Sequence, residues 1–197
     1  MQFVFNTENT AREFANKNND IFPSAPNRCP FTDCSMPVKL KKHGYYSRAF
    51  ISKEFSGVIY IRRYICPICG RTVSMLPMFC LPGFEYSGID IINILHQFYQ
   101  GDISLNKLIE RIKADLPSIE HRHINYYRKR IIKNRQLIQY GLNLISPEFF
   151  FAGTIPENQK WVKIFLEKVH RLHPHVFLVD FSKITGKSFM TSQKRIA

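Results

Sequence analysis

Two short cysteine hooks constrain this chain more than any other feature in it. Cys29-Pro-Phe-Thr-Asp-Cys34 and Cys66-Pro-Ile-Cys69 each hold two thiols on a tight turn, and 31 residues separate the hooks. Such a pair supplies the four soft donors of a tetrahedral Zn²⁺ site once the intervening chain folds back. That chain suits the task, because residues 43–52 and 58–65 are rich in β-branched and aromatic side chains, with Ser-Lys-Glu-Phe-Ser-Gly as the turn between them. The expectation for residues 29–82 is a β-rich zinc ribbon with Cys29, Cys34, Cys66 and Cys69 as ligands of a structural Zn²⁺. Four protein donors close the coordination sphere, so the metal is expected to be scaffold and not catalyst.

Other uses of the thiols fit less well. A redox role for Cys66-Pro-Ile-Cys69 needs a βαβ context, and a zinc deaminase needs His-x-Glu upstream with Pro-Cys-x-x-Cys downstream. Ile65, not proline, precedes Cys66. Cys80 and His43 are the substitutes if one of the four is not a ligand, although Met-Phe-Cys80-Leu-Pro is apolar enough to be core.

Charge is the second constraint. Twenty-eight Lys and Arg against fifteen Asp and Glu leave a net +13, which points to a polyanionic partner, nucleic acid above all. The first ten residues lack a basic and apolar leader pattern, and no run reaches the roughly 18 apolar residues of a membrane span, so a cytoplasmic location is expected.

Along the chain, residues 1–28 read as a lead-in segment with a short helix capped by the Thr10-Ala-Arg-Glu13 box. Residues 83–146 carry helical periodicity: Ile91, Leu95 and Phe98, then Leu105, Leu108, Ile109 and Ile112, then one long helix from Ser118 to about Ile145. Pro117 is expected to stop the second helix, and Ser118 to cap the third. In residues 147–197, Thr154-Ile-Pro-Glu157 opens a helix running to about Leu172, and 175–183 read as a buried strand. The fold class expected is thus α+β, a small zinc ribbon followed by a mainly helical, helix-turn-helix-like domain.

The third helix carries the binding chemistry. Ser118–Arg135 holds six basic residues against the single Glu120. Arg122, His123, Asn125, Tyr126, Arg128, Lys129, Arg130 and Lys133 are the expected DNA contacts, joined by Arg48, Arg62 and Arg63 of the ribbon. Ile124, Tyr127, Ile131, Ile138 and Ile145 also follow a heptad, which suits a homodimer through the 118–145 helix. The alternatives are a protein-interaction adaptor built on ribbon and long helix, or an RNA-binding protein that stacks bases on Tyr45, Tyr46, Tyr60 and Tyr64. Gly186-Lys187-Ser188 lacks the upstream glycine of a P-loop, since Phe181 stands there, and His170, His173 and His175 read as an exposed helix end.

The order Cys-Pro-x₃-Cys, then His-Gly-Tyr-Tyr-Ser-Arg, then Arg-Arg-Tyr-Ile-Cys-Pro-Ile-Cys-Gly-Arg-Thr-Val-Ser resembles the N-terminal zinc ribbons of bacterial insertion-sequence transposases and of uncharacterised bacterial proteins related to them. The resemblance covers about residues 29–135. It implies a ribbon before a helix-turn-helix, binding the terminal repeats of a mobile element, with the four cysteines as ligands and the basic helix as reader. Transposases of this kind continue into an RNase H-like domain whose three acidic residues hold two metal ions. Here Phe-Leu-Val-Asp180 reads as a first strand with a first aspartate, and seventeen residues follow it. A complete acidic site is not expected, so the chain is read as a DNA-binding module or regulator and not as an enzyme.

Overall fold

The apolar run Phe3-Val4-Phe5 places the N-terminus in the sheet as a strand. The computed structural model describes residues 1–17, 21–101, 103–147 and 157–191. Strand β1 (Gln2–Phe5) pairs in parallel with β4 (Thr72–Pro77), setting Phe3 beside Met75 and Val4 beside Leu76. Helix α1 (Ala11–Asn16) follows with the expected capping box. The Thr10 hydroxyl accepts from the Glu13 N–H at 3.2 Å, and the Glu13 carboxylate accepts from the Thr10 N–H at 2.8 Å.

Strands β2 (Lys41–Ile51) and β3 (Ser56–Ile65) form the predicted antiparallel hairpin, and β3 pairs antiparallel with β4. The sheet order is β1-β4-β3-β2. Along β3 the side chains alternate in the way a half-buried strand requires, with Ile59 and Ile61 buried and Val58 and Tyr60 exposed.

Six helices follow. They are α2 (Gly88–Gln100), α3 (Leu105–Ile112), α4 (His121–Lys133), α5 (Arg135–Ile145), α6 (Asn158–Arg171) and α7 (Pro174–Thr185). The described residues therefore combine a four-stranded sheet with seven helices, a mixed sheet-and-helix fold. Among the described residues no helix is long and apolar enough to cross a membrane.

Four local expectations are corrected. Helix α3 ends at Ile112, well before Pro117, and Glu120 instead of Ser118 stands at the start of α4. The connection from Lys113 to Glu120 is longer than the roughly three or four residues of a helix-turn-helix turn. The Ser118 hydroxyl accepts from the Tyr86 hydroxyl at 3.2 Å. The long third helix is two helices, broken at Asn134, whose buried amide donates to the carbonyls of Phe189 at 2.9 Å and Thr191 at 3.0 Å. Residues 175–183 are helical and not a strand: Pro174 sits in the first turn, and Gly186 caps the end at φ +62°, a conformation natural to glycine. A short apolar run such as Val176–Val179 does not distinguish buried strand from buried helix by period. The Thr154–Pro156 part of the expected cap lies outside the described residues.

While Ala11 and Phe14 of α1 pack on the sheet, helices α2 to α7 share one core. Ile91, Leu95, Leu108, Ile112, Ile124 and Tyr127 meet Ile131, Ile138, Trp161, Phe165, Phe177 and Phe181 there. Of the stripe read as a dimer seam, Ile124, Tyr127, Ile131 and Ile138 are thus buried inside the chain itself, and Ile145 is half-buried against the same core. A junction ties the sheet to these helices. The Arg48 guanidinium donates to the carbonyls of Leu81 and Phe84, Ile51 N–H donates to Glu85 O at 2.9 Å, and Ser87 N–H donates to Ile51 O at 2.8 Å.

Candidate metal centre and nucleic-acid interface

Strand β3 runs directly into Cys66, and β4 leaves directly after Arg71, with Ile65 paired to Thr72. The second hook is therefore the tip of a hairpin. Its turn is closed by Gly70 N–H to Cys66 O at 2.9 Å and Cys66 N–H to Arg71 O at 3.0 Å, with Gly70 at φ +69°. The first hook is closed in the same manner: Cys34 N–H and Ser35 N–H both donate to Phe31 O, at 2.9 and 2.7 Å, and Cys29 N–H donates to Met36 O at 2.9 Å. Leu40 N–H to Pro26 O at 2.9 Å and the Tyr64 hydroxyl to Pro23 O at 2.6 Å hold that loop against the sheet.

The result brings all four predicted ligands together. Their sulfurs lie within 4.8 Å of one another, with Cys29 to Cys69 at 3.7 Å and Cys34 to Cys66 at 3.9 Å. Four thiolates at ~2.3 Å from a tetrahedral zinc stand about 3.8 Å apart, so the spacing and the all-sulfur donor set fit such an ion. All five cysteines are free of disulfides, and Cys80 is buried in apolar surroundings away from the cluster, where burial pushes its thiol up to about 12.

Arg71 is the residue that sequence reasoning missed. Its guanidinium reaches across to the first hook, donating to Asp33 Oδ1 at 2.6 Å and lying 4.1 Å over the Phe31 ring. Its side chain and then its backbone N–H hold the Cys69 thiol below its ordinary value, while burial pushes that of Cys29 up. An outer arginine that favours thiolate and locks the two hooks together is the kind of support a metal site needs. The pairing of an acidic residue in one hook with a basic residue just after the other was the available signal.

The expected DNA-binding residues divide into two groups. Arg122, Asn125, Tyr126, Lys129 and Lys133 are exposed, and their spacing puts them on one face of α4. The other six are buried or half-buried, and of the exposed five Arg122 pairs with Glu120 Oε2 at 2.9 Å while Asn125 Oδ1 accepts from Arg128 at 3.3 Å. Arg128 donates to the Tyr99 hydroxyl at 3.2 Å and lies 4.6 Å over the Phe98 ring. His123 is half-buried against Tyr86, and its Nδ1 accepts from the Glu120 N–H at 3.0 Å. Arg130 is half-buried over Tyr126 at 5.5 Å. In the sheet, Arg48 is the junction clamp described above, and Arg62 is buried, lying 4.0 Å over the Tyr45 ring and donating to its hydroxyl. Arg63 is half-buried, 6.0 Å from the Tyr46 ring.

Arg48 also connects the two surfaces. The Phe84 ring, whose carbonyl Arg48 holds, packs 5.8 Å from both Tyr126 and Tyr127 of α4. The hairpin and the outward face of α4 are in this way positioned by the same segment. No protein-family model, no curated protein and no solved structure matches this chain.

Proposed function

We propose that the chain is a DNA-binding protein, a transposase-like binding module or regulator, in which a zinc ribbon is the scaffold and α4 the reader. The observation that carries this reading is the outward stripe of Arg122, Asn125, Tyr126, Lys129 and Lys133 on a helix whose opposite face, Ile124, Tyr127 and Ile131, is buried. Its three cations, of which Arg122 pairs with the Glu120 carboxylate at 2.9 Å, stand on a helix packed into the core and match a phosphate backbone. Within it, Asn125 and Arg122 are the side chains able to hydrogen-bond base edges, while Lys129 and Lys133 neutralise phosphates. Four cysteine sulfurs at tetrahedral spacing support Zn²⁺ as the resident ion. Its contribution when bound is a rigid cross-link between the hooks. Arg71, Asp33 and the two turns orient the thiolates, and Arg48 ties the sheet to the segment that packs against α4.

The experiment is a mobility-shift titration of genomic DNA fragments with wild type and with Lys129→Glu/Lys133→Glu. Both substitutions are at exposed positions, so the circular dichroism spectrum is expected to stay unchanged while binding is lost. A charge-reversed protein that binds as wild type does would overturn α4 as the reader, and a wild-type protein that shifts no fragment at low salt would overturn DNA binding and leave an adaptor role in its place.

A further inference from the structure

Where α1 meets the β2–β3 hairpin, the surface opens into a groove of about 630 Å³ lined by Phe14, Phe22, Tyr45, Tyr60, Ser47 and Lys17. Register explains the arrangement: Ser47 is opposite Tyr60 and Tyr45 is opposite Arg62, so these side chains share one face of the hairpin. Tyr60 is 57% exposed, as befits a ring with no core to enter. Tyr45 carries the Arg62 guanidinium at 4.0 Å, and Phe22 leans on it at 5.8 Å.

We infer that this groove binds an unpaired base of single-stranded DNA, stacking it on Tyr60 and Tyr45 with its phosphate drawn to Lys17. The inference rests on the DNA-binding reading and adds a second kind of contact to it. Every base has a flat π-face, so aromatic rings beside cations bind single strands with little regard to sequence. The charge balance selects the anion. Among the described residues the groove is lined by one lysine and no carboxylate, and the Lys17 ammonium donates to the neutral amide of Asn9 at 2.7 Å. Glu13, one turn back, is held by Thr10 and also feels the Lys17 charge, but it does not line the groove. The cleft of about 450 Å³ beside the start of α2 is the contrast, since Glu8, Glu54 and Asp90 line it with Lys53 and it repels a phosphate. An apolar peptide side chain would fill the ring-lined part of the groove but offer nothing to the Lys17 charge at its edge. The Ser47 hydroxyl is placed to meet a base edge.

The test replaces Tyr60 with tryptophan. The chain's single tryptophan, Trp161, is fully buried in the helical core, so the change in emission on adding an oligothymidylate reports from the groove. Saturable quenching is expected. Tyr60→Ala should weaken single-strand affinity by about tenfold or more, Tyr60→Phe should keep it, and Lys17→Glu should weaken it too. Unchanged emission at oligonucleotide concentrations that saturate a mobility shift would overturn the proposal, as would wild-type affinity in Tyr60→Ala. Tighter binding of the matching oligouridylate would overturn the assignment to DNA. Lys129→Glu/Lys133→Glu keeps the two readings apart, because it should abolish duplex binding and leave the quenching in place. If duplex binding survives that change while Tyr60→Ala still loses the single strand, the α4 reading falls and the groove stands.

Discussion

The Cys29 and Cys69 sulfurs lie 3.7 Å apart, although 40 positions separate them in the chain. Each belongs to a turn whose own backbone hydrogen bonds would form without the other, and the sheet brings the two turns together. Four thiols packed this closely, one of them drawn towards thiolate by Arg71, leave a metal ion as the natural cross-link.

Metal analysis checks this directly. Purified protein should carry stoichiometric zinc, Cys66→Ser should lose it, and Cys80→Ser should retain it. Structural zinc supplies on the order of 10–16 kcal/mol in small domains, so chelation should melt the cysteine end of the sheet. The helical core of α2 to α7 is built from other residues, and its circular dichroism signal should persist. Full zinc in Cys66→Ser would refute the assignment.

Arg48 gives a prediction that sequence alone would have reversed. Its guanidinium is bound to the carbonyls of Leu81 and Phe84, so Arg48→Met should cost about 1–3 kcal/mol of stability by leaving them unpaired. Duplex affinity at temperatures where the variant is folded should hardly change. A loss of affinity without a loss of stability would return Arg48 to the binding surface.

What was legible in the sequence follows from how local each signal is. The hooks, the hairpin and the Thr10–Glu13 cap are set by residues close in the chain, and they stand where the spacing put them. The break at Asn134 was hidden because its cause is 55 residues away, at the Phe189 carbonyl. The helical state of 174–185 was hidden because an apolar run buried on most sides has no period to read. Of the basic residues, charge alone did not separate Lys129, which is exposed, from Arg128, which aromatic rings of α2 hold. The role of Phe14 and Phe22 was missed because the segment that carries them looked like a lead-in.

Gly141 should resist substitution. A Cβ there would lie 2.6 Å from Cδ2 of Phe181 and 3.1 Å from Cγ2 of Thr185, and the Phe181 ring is buried in the core. Gly141→Ala gains roughly 1 kcal/mol of helix propensity, against an overpacking cost of roughly 1–3 kcal/mol. A net loss of up to about 2 kcal/mol is expected in urea denaturation. An unchanged or higher midpoint would show that α5 and α7 are less closely packed than described.

Acid should weaken the fold through histidine. Burial holds His96 below its ordinary 6.5, helped by His170 stacked on it at 4.3 Å and opposed by Glu167. Burial does the same to His123, with Arg122 adding to it and Glu120 and Glu85 opposing. In both cases the unfolded chain binds the proton more readily, so stability is fully present above pH 6.5 and falls as pH drops from there towards the depressed folded values. Asp90, raised by burial, acts with the opposite sign, closer to the carboxylate range. Melting temperatures from pH 8 to 5.5 should decline, and His96→Gln should flatten part of that decline. A flat profile in wild type would contradict the half-buried state of these imidazoles.

The salt dependence of duplex binding tests α4 most quantitatively. Each phosphate neutralised contributes about −0.9 to the slope of log affinity against log salt, so Lys129→Ala and Lys133→Ala should each make the slope shallower by about 1. Asn125→Ala should behave differently, since an amide releases no counterion. It should leave the slope alone and narrow the difference between preferred and random DNA by a factor corresponding to ~1–3 kcal/mol. Arg128→Ala should alter the melting temperature more than the slope, because its guanidinium lies over Phe98 and donates to Tyr99. Competition titrations at several potassium concentrations, run on the four variants together, measure all of these quantities. A slope that Lys129→Ala and Lys133→Ala leave unaltered would show that DNA does not lie along this face of the helix.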